Sequence, residues 1–172
     1  MIEFLDSAYI VLNDNHLPAE NLARGMMHEL LLAGVPSRIG IGKRTFLRMS
    51  FSTSTHPTGT IFATAPFMGT GVINAYRAER CASRGFRIFV HPSAIAANSE
   101  RAPWVYLRLA DAECSASCSR QLNVMMEEND APAMRKALAE MQADVTNPRI
   151  LLHYQATATA LDRCEAALRA AR

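Results

Sequence analysis

The stretch Gly69 to Glu79, GTGVINAYRAE, brings together residue types that could do chemistry. A glycine pair opens what reads as a helix, and Asn74 and Arg77 follow within it. Three readings compete. The first amides of a helix lack helical acceptors and sit at the positive end of its dipole, so a glycine-rich helix start can cradle phosphate. Asn74 and Arg77 could instead orient a nucleotide and stabilise charge on a reacting phosphate. The third reading is a glycine hinge before a surface helix.

Other candidates are weaker. Gly40 to Thr45, GIGKRT, has the Gly-Lys pair of a phosphate-loop end, but Arg44 follows where a metal-binding hydroxyl is needed. Ser37 stands where the upstream glycine should be, so the segment reads as strand and turn, with glycine allowing close packing. Cys114 and Cys118 are spaced like a metal clip, yet no second Cys/His pair with zinc-type spacing stands near them. All four cysteines (Cys81, Cys114, Cys118, Cys164) read as small buried residues with free thiols.

The elements that must position these residues follow from periodicity. A strand is expected over Ser7–Leu12, and a helix over Pro18–Ala33 with Leu22, Met26 and Leu30 on one stripe, stopped by Gly34 and Pro36. Strands are expected at Ser37–Lys43, Phe46–Phe51, Thr60–Phe67, Phe86–Val90 and Trp104–Leu109. Ser52–Gly59 reads as a loop, Val72–Ser83 as a helix, and His91-Pro92-Ser93 as a short helix start capped by Ser93. Two helices close the chain. One runs over Ala131–Val145 with Asp130 as cap, and the other starts at Asn147-Pro148 and runs to Ala170.

With 172 residues the chain can bury one ordinary core. A net charge of +2, with the arginines dispersed, provides no electrostatic footprint for nucleic acid or an acidic membrane. No apolar run approaches membrane-spanning length, and the start MIEFLDSAYIV lacks the basic and small-residue signals of a secretory leader, so a cytoplasmic location is expected.

The order FLDSAYIV, helix, VPSRIGIG, FMGTGVINAYRAE, RGFRIFVHPSA resembles the catalytic-fold domain of class III nucleotide cyclases, the adenylate and guanylate cyclase homology domain, in its small bacterial members. The resemblance covers about Glu3 to Ala94. It implies an α+β fold, a ferredoxin-like βαββαβ-type sheet with helices packed on one face, that works as a dimer with sites across the interface. It also implies two metal-binding carboxylates holding Mg or Mn, and an Asn and an Arg at the ribose and the reacting phosphate.

Carried onto this chain, Asp6 matches the second metal carboxylate and Arg77 the catalytic Arg. The first carboxylate belongs to a strand upstream of Met1, so the usual first strand is lacking here. Either the chain is a fragment of a longer protein or another segment fills that place, with Trp104–Leu109 and strand exchange in a dimer as the candidates. Ile73 occupies the Asn position, with Asn74 about a quarter turn away, and Pro66 stands where a base-reading Asp would sit.

Residues 1–120 are therefore expected to form a cyclase-like α+β domain and 121–172 a C-terminal helical extension. The expected function is a catalytically inactive cyclase homology domain. Its role would be dimerisation, regulation or nucleotide binding, as a homodimer or with a partner domain, and with a nucleoside triphosphate as candidate ligand. The alternatives are the downstream part of a working metal-dependent cyclase, and an interaction protein with no nucleotide ligand.

Overall fold

The computed structural model describes residues 10, 16–48, 51–53, 62–64, 67–81, 84–95, 104–110, 114–127 and 129–171. Asp6, Pro66 and, apart from Ile10, the strand expected over Ser7–Leu12 lie outside the described residues.

Helix α1 (His16–Leu32) leads to β1 (Ile39–Ile41). Four short strands then form two ladders: β2 (Leu47–Arg48) pairs with β5 (Phe67–Met68), and β3 (Phe51–Thr53) with β4 (Phe62–Thr64), both antiparallel. Thus Ser52 and Thr53, expected in the loop, are strand residues. Helix α2 (Thr70–Glu79), β6 (Ile88–Val90), a single 3₁₀ turn (Pro92–Ala94), β7 (Tyr106–Arg108), β8 (Arg120–Leu122), α3 (Asp130–Gln142) and α4 (Pro148–Ala170) complete the chain.

The main sheet has the order β1-β6-β8-β7. Strands β1 and β6 are parallel, with Ile39 opposite Ile88 and Ile41 opposite Val90, while β8 runs antiparallel to both its neighbours. Among the described residues the architecture is a mixed α+β fold with one four-stranded mixed sheet and four α-helices. The strand expected over Trp104–Leu109 does not fill a gap inside this sheet. It lies at the edge, as β7, and the strand next to β6 is β8.

Helices cover both faces of the sheet, which corrects the expectation of one helical face. Ile88, Val90 and Leu122 face a core built with Met27 and Leu31 of α1, Met134 and Leu138 of α3, and Leu161 and Cys164 of α4. Phe89, between Ile88 and Val90, points the other way into a smaller cluster with Ala78 of α2, Leu109, Cys81 and Cys118. The physical cause lies in β6, which is apolar and buried at all three positions, so neither side can be left to water. The boundary expected between residues 120 and 121 falls inside β8, and residues from both sides of it share the larger core.

Helix ends followed their local signals in part. Asn147 caps α4 by accepting the Arg149 amide at 2.9 Å, and Pro148 occupies the first turn. For α3 the cap position is Asn129 rather than Asp130, and the Asp130 carboxylate accepts the amides of Met126 and Glu127 from the preceding turn. At the 3₁₀ turn the capping side chain is His91, which accepts the Ser93 amide, not Ser93 itself.

Helix α2 sits unusually close to β1. A Cβ on Gly40 would stand 2.0 Å from the Ala75 carbonyl oxygen, and one on Gly42 would stand 2.4 Å from the Ala75 nitrogen. These are backbone atoms that cannot rotate away, so the seat requires glycine at both places. Gly40→Ala and Gly42→Ala should each cost about 3 kcal/mol. Gly25→Ala, in α1 with nothing within 4 Å of the new methyl, should gain about 0.5–1 kcal/mol. Urea midpoints of the three variants test the contrast, and equal effects at Gly25 and Gly40 would show that the close seat is not what makes β1 sensitive.

Candidate functional site

Parallel strands of a sheet open a crevice beyond their carboxyl ends, where the chain turns away and ligands commonly bind. Beyond β1 come Gly42, Lys43, Arg44 and Thr45, and beyond β6 come His91, Pro92 and Ser93. The first turn of α2 brings Thr70 and Asn74 to the same place. Arg44, Thr45, Thr70, Asn74, His91, Pro92 and Ser93 line an open cavity of about 830 Å³ there.

A side-chain lattice holds its walls. Asn74 Nδ2 donates to Lys43 O and to Ser93 Oγ, each at 3.1 Å. The Lys43 amide also donates to Ser93 Oγ at 3.1 Å. Ser93 Oγ lies 2.9 Å from His91 Nδ1, which also accepts the Ser93 amide at 3.1 Å. With Nδ1 accepting, the neutral ring carries its proton on Nε2. Burial first, and then the charge of Arg77, push the His91 pKa below its ordinary value. His91 therefore stays a neutral hydrogen-bond donor near neutral pH.

The glycine-rich start of α2 is already occupied by this chain. The Thr70 amide donates to Thr45 Oγ1 at 3.4 Å, the Gly71 amide to Thr45 O at 3.1 Å, and the two threonine hydroxyls lie 2.9 Å apart. Gly69 has φ 142, and a Cβ there would stand 2.2 Å from Thr45 O. Its glycine serves the approach of Thr45, not of a phosphate. An anion in the cavity would therefore meet its lining side chains rather than these two amides.

Those side chains are cationic or neutral donors. Arg44 lines the cavity at φ 150, a backbone region costly for a residue with a Cβ, by about 1–3 kcal/mol. Arg77, the Arg expected at the catalytic position, is exposed on α2 with its charge felt at His91. Among the described residues, Arg77 has no recorded ion-pair partner, whereas Glu79 pairs with Arg38 and Arg80. Ile73, at the position the resemblance gives to Asn, is 48 % exposed. Asn74 faces inward and is committed to the lattice.

Among the described residues no carboxylate lines the cavity, and no group of three or more His, Cys, Asp or Glu stands together that could hold a metal ion. The cavity residues do not fit a pair of hard divalent cations, which take oxygen ligands. No helix of the described residues is long and apolar enough to cross a membrane.

Sequence reasoning missed Arg44, His91 and Ser93 as one site. The signal was present as two polar tails, KRT after GIGI and HPS after FRIFV, each following an apolar strand. Their meeting depended on the parallel pairing of β1 and β6. Comparison with protein-family models, with curated proteins and with solved structures gives no match.

The histidines generate a pH prediction. His153, which accepts the Gly85 amide at 3.2 Å, also has its pKa lowered, by burial first and then by Arg38, Arg84 and Arg87. A His depressed in the folded state binds fewer protons than its unfolded counterpart, so stability is full above the unfolded value of about 6.5 and falls as pH drops toward the folded value. Imidazole NMR titration should place both His91 and His153 below that value. A midpoint above 6.5 at either ring would contradict the assigned hydrogen bonds.

Proposed function

We propose that the chain is a nucleotide-cyclase-like domain that binds a phosphate-bearing ligand of the nucleoside triphosphate class without cyclising it, in a regulatory role. The observation that carries this reading is the cavity beyond β1 and β6, ringed by Arg44, His91, Asn74 and Ser93, with the charge of Arg77 felt at His91 and no carboxylate among the described residues of its lining. Guanidinium and neutral imidazole donors suit phosphate oxygens. Ion-assisted attack by a ribose hydroxyl needs carboxylates, and among the described residues none lines this cavity.

A kinship with the ferredoxin-like cyclase fold is part of the proposal. What supports it is the parallel pair β1 and β6 separated in sequence by α2, which packs on both strands. The reading also takes the chain to be cytoplasmic.

A second reading, association as a homodimer or with a partner domain, is favoured by a run of exposed apolar side chains. Leu47 and Met68 face each other across the β2–β5 ladder, and Ile73 and Tyr76 follow on α2, all about half exposed.

Thermal unfolding with ATP, GTP or inorganic triphosphate, each with and without Mg, tests the first reading. At roughly 100-fold excess over Kd the melting temperature should rise by about 5 °C or more. Arg44→Gly should remove most of that rise while raising the unliganded protein's stability by about 1 kcal/mol, because glycine relieves the φ strain. No shift with any polyphosphate would refute the ligand. Cyclic-nucleotide production with Mg or Mn that is abolished by Asp6→Ala would refute the non-catalytic part.

A further inference from the structure

Three of the four cysteines meet at one place. Cys81 follows Arg80, the residue that ends α2, and Cys118 closes the tight turn bridged from Ser115 to Cys118. Both belong to the buried cluster with Ala78, Phe89 and Leu109, and Cys114 packs against its edge. Cys118 is fully buried, while Cys81 is 8 % exposed. Neither is disulfide-bonded. Cys81 and Cys118 belong to the same five-residue buried cluster, which sets the two thiols in one small apolar pocket.

The partners of this pair are unequal. Cys118 donates to Arg120 O at 3.5 Å, and the neighbouring Cys81 thiol and then burial hold its proton on. Cys81 has Arg38 beside it, whose Nη2 also donates to Cys81 O at 3.4 Å. A neighbouring guanidinium is what stabilises a reactive thiolate. Other charges near this helix end, among the described residues, are Glu79, ion-paired to Arg38 at 3.2 Å, Arg80, paired to Glu79 at 3.6 Å, and Arg87, 5.3 Å from the centre of the Phe89 ring.

We infer that Cys81 and Cys118 form a peroxide-responsive pair, with Cys81 the attacking sulfur, Cys118 the resolving sulfur, and hydrogen peroxide or an alkyl hydroperoxide the oxidant. The Cys81 sulfur attacks the O–O bond. That bond breaks, an S–O bond forms, and water (or the alcohol) leaves with the thiol proton. The Cys118 sulfur then attacks the Cys81 sulfenic sulfur. The S–O bond breaks, the S–S bond forms, and the hydroxyl leaves as water with the second proton. Two thiols lose two protons and two electrons, and one peroxide is reduced. The new bond ties the far end of α2, whose first turn lines the cavity, to the turn between β7 and β8.

The reduced full-length chain is treated with hydrogen peroxide at neutral pH, its remaining thiols are alkylated, and intact mass and non-reducing peptide maps are recorded. The expected result is a loss of about 2 Da before alkylation. Two fewer alkylated cysteines, a Cys81–Cys118 crosslinked peptide, and full reversal by dithiothreitol should accompany it. Cys118→Ala should stop at a Cys81 sulfenic acid trapped by dimedone, and Cys114→Ser should behave as the parent. A folded parent chain that forms no crosslink, links through Cys114, links between chains, or reacts only in urea would overturn the inference. That arm needs no variant, so misfolding of Cys118→Ala leaves the test standing.

Discussion

The close seat of α2 on β1 is the constraint on which the rest depends. One short segment holds the helix along its length. Thr45 accepts two amides of its first turn, Gly42 and Gly40 let its middle approach, and Arg38 donates to the Glu79 and Cys81 carbonyls at its far end. The helix therefore runs opposite to the strand beneath it. A donor cation at the carboxyl end of a helix meets both its unpaired carbonyls and the negative end of its dipole. The same guanidinium lies 4.7 Å from the centre of the Phe89 ring, and Arg87 lies 5.3 Å from it. The smaller core is thus closed by cations stacked on an aromatic face.

This seat makes the two ends of the parallel pair chemically different. At the amino ends of β1 and β6, Arg38 and Arg87 are spent on carbonyls, on Glu79 and on Gln121. Their task is to satisfy backbone that the sheet and helix leave unpaired. At the carboxyl ends, Arg44 lines an open cavity whose wall is fixed by Asn74 and Ser93, and the charge of Arg77 is felt at His91. Cationic residues alone would not separate a closed end from an open one. The distribution of acceptors around them does.

Elements with local signals were legible in the sequence. Asn147-Pro148 announces α4 because a cap and a first-turn proline act within three residues, and α1, α2 and β6 form close to where the sequence places them, although the buried stripe of α1 is Ala23, Met27 and Leu31 and not Leu22, Met26 and Leu30. Strand β8 was not legible. Arg120, Gln121 and Leu122 have no β-branched or alternating pattern, and Gln121, 1 % exposed, is buried because Arg87 Nη1 donates to its side chain at 3.0 Å. Its strand identity comes from pairing with β6 and β7, which is non-local. The GTG start of α2 was legible as special, but not its reason. Only the returning chain shows that Thr45 takes the amides a phosphate would need. Asp6 lies outside the described residues, so its metal role stays with the resemblance.

The C-terminal helices belong to the energetics of the sheet through one buried polar network. Arg24 of α1 donates to the carbonyls of Asn123 and Met125, each at 2.6 Å. Asn123 Nδ2 donates to Trp104 O and Cys164 O, each at 3.0 Å, and its Oδ1 accepts the Met125 amide at 2.9 Å. Burial lowers the Arg24 pKa, opposed by the nearby thiol and carboxylates of Cys164, Glu20 and Asp130. A buried guanidinium is costly unless its donors are satisfied, and here carbonyls just beyond β8 satisfy them. Removing either partner would leave the other unpaired, so α1, the exit of β8 and α4 are bound to one geometry. The sheet that carries the cavity therefore depends on helices at both ends of the chain, and residues 121–172 complete its core.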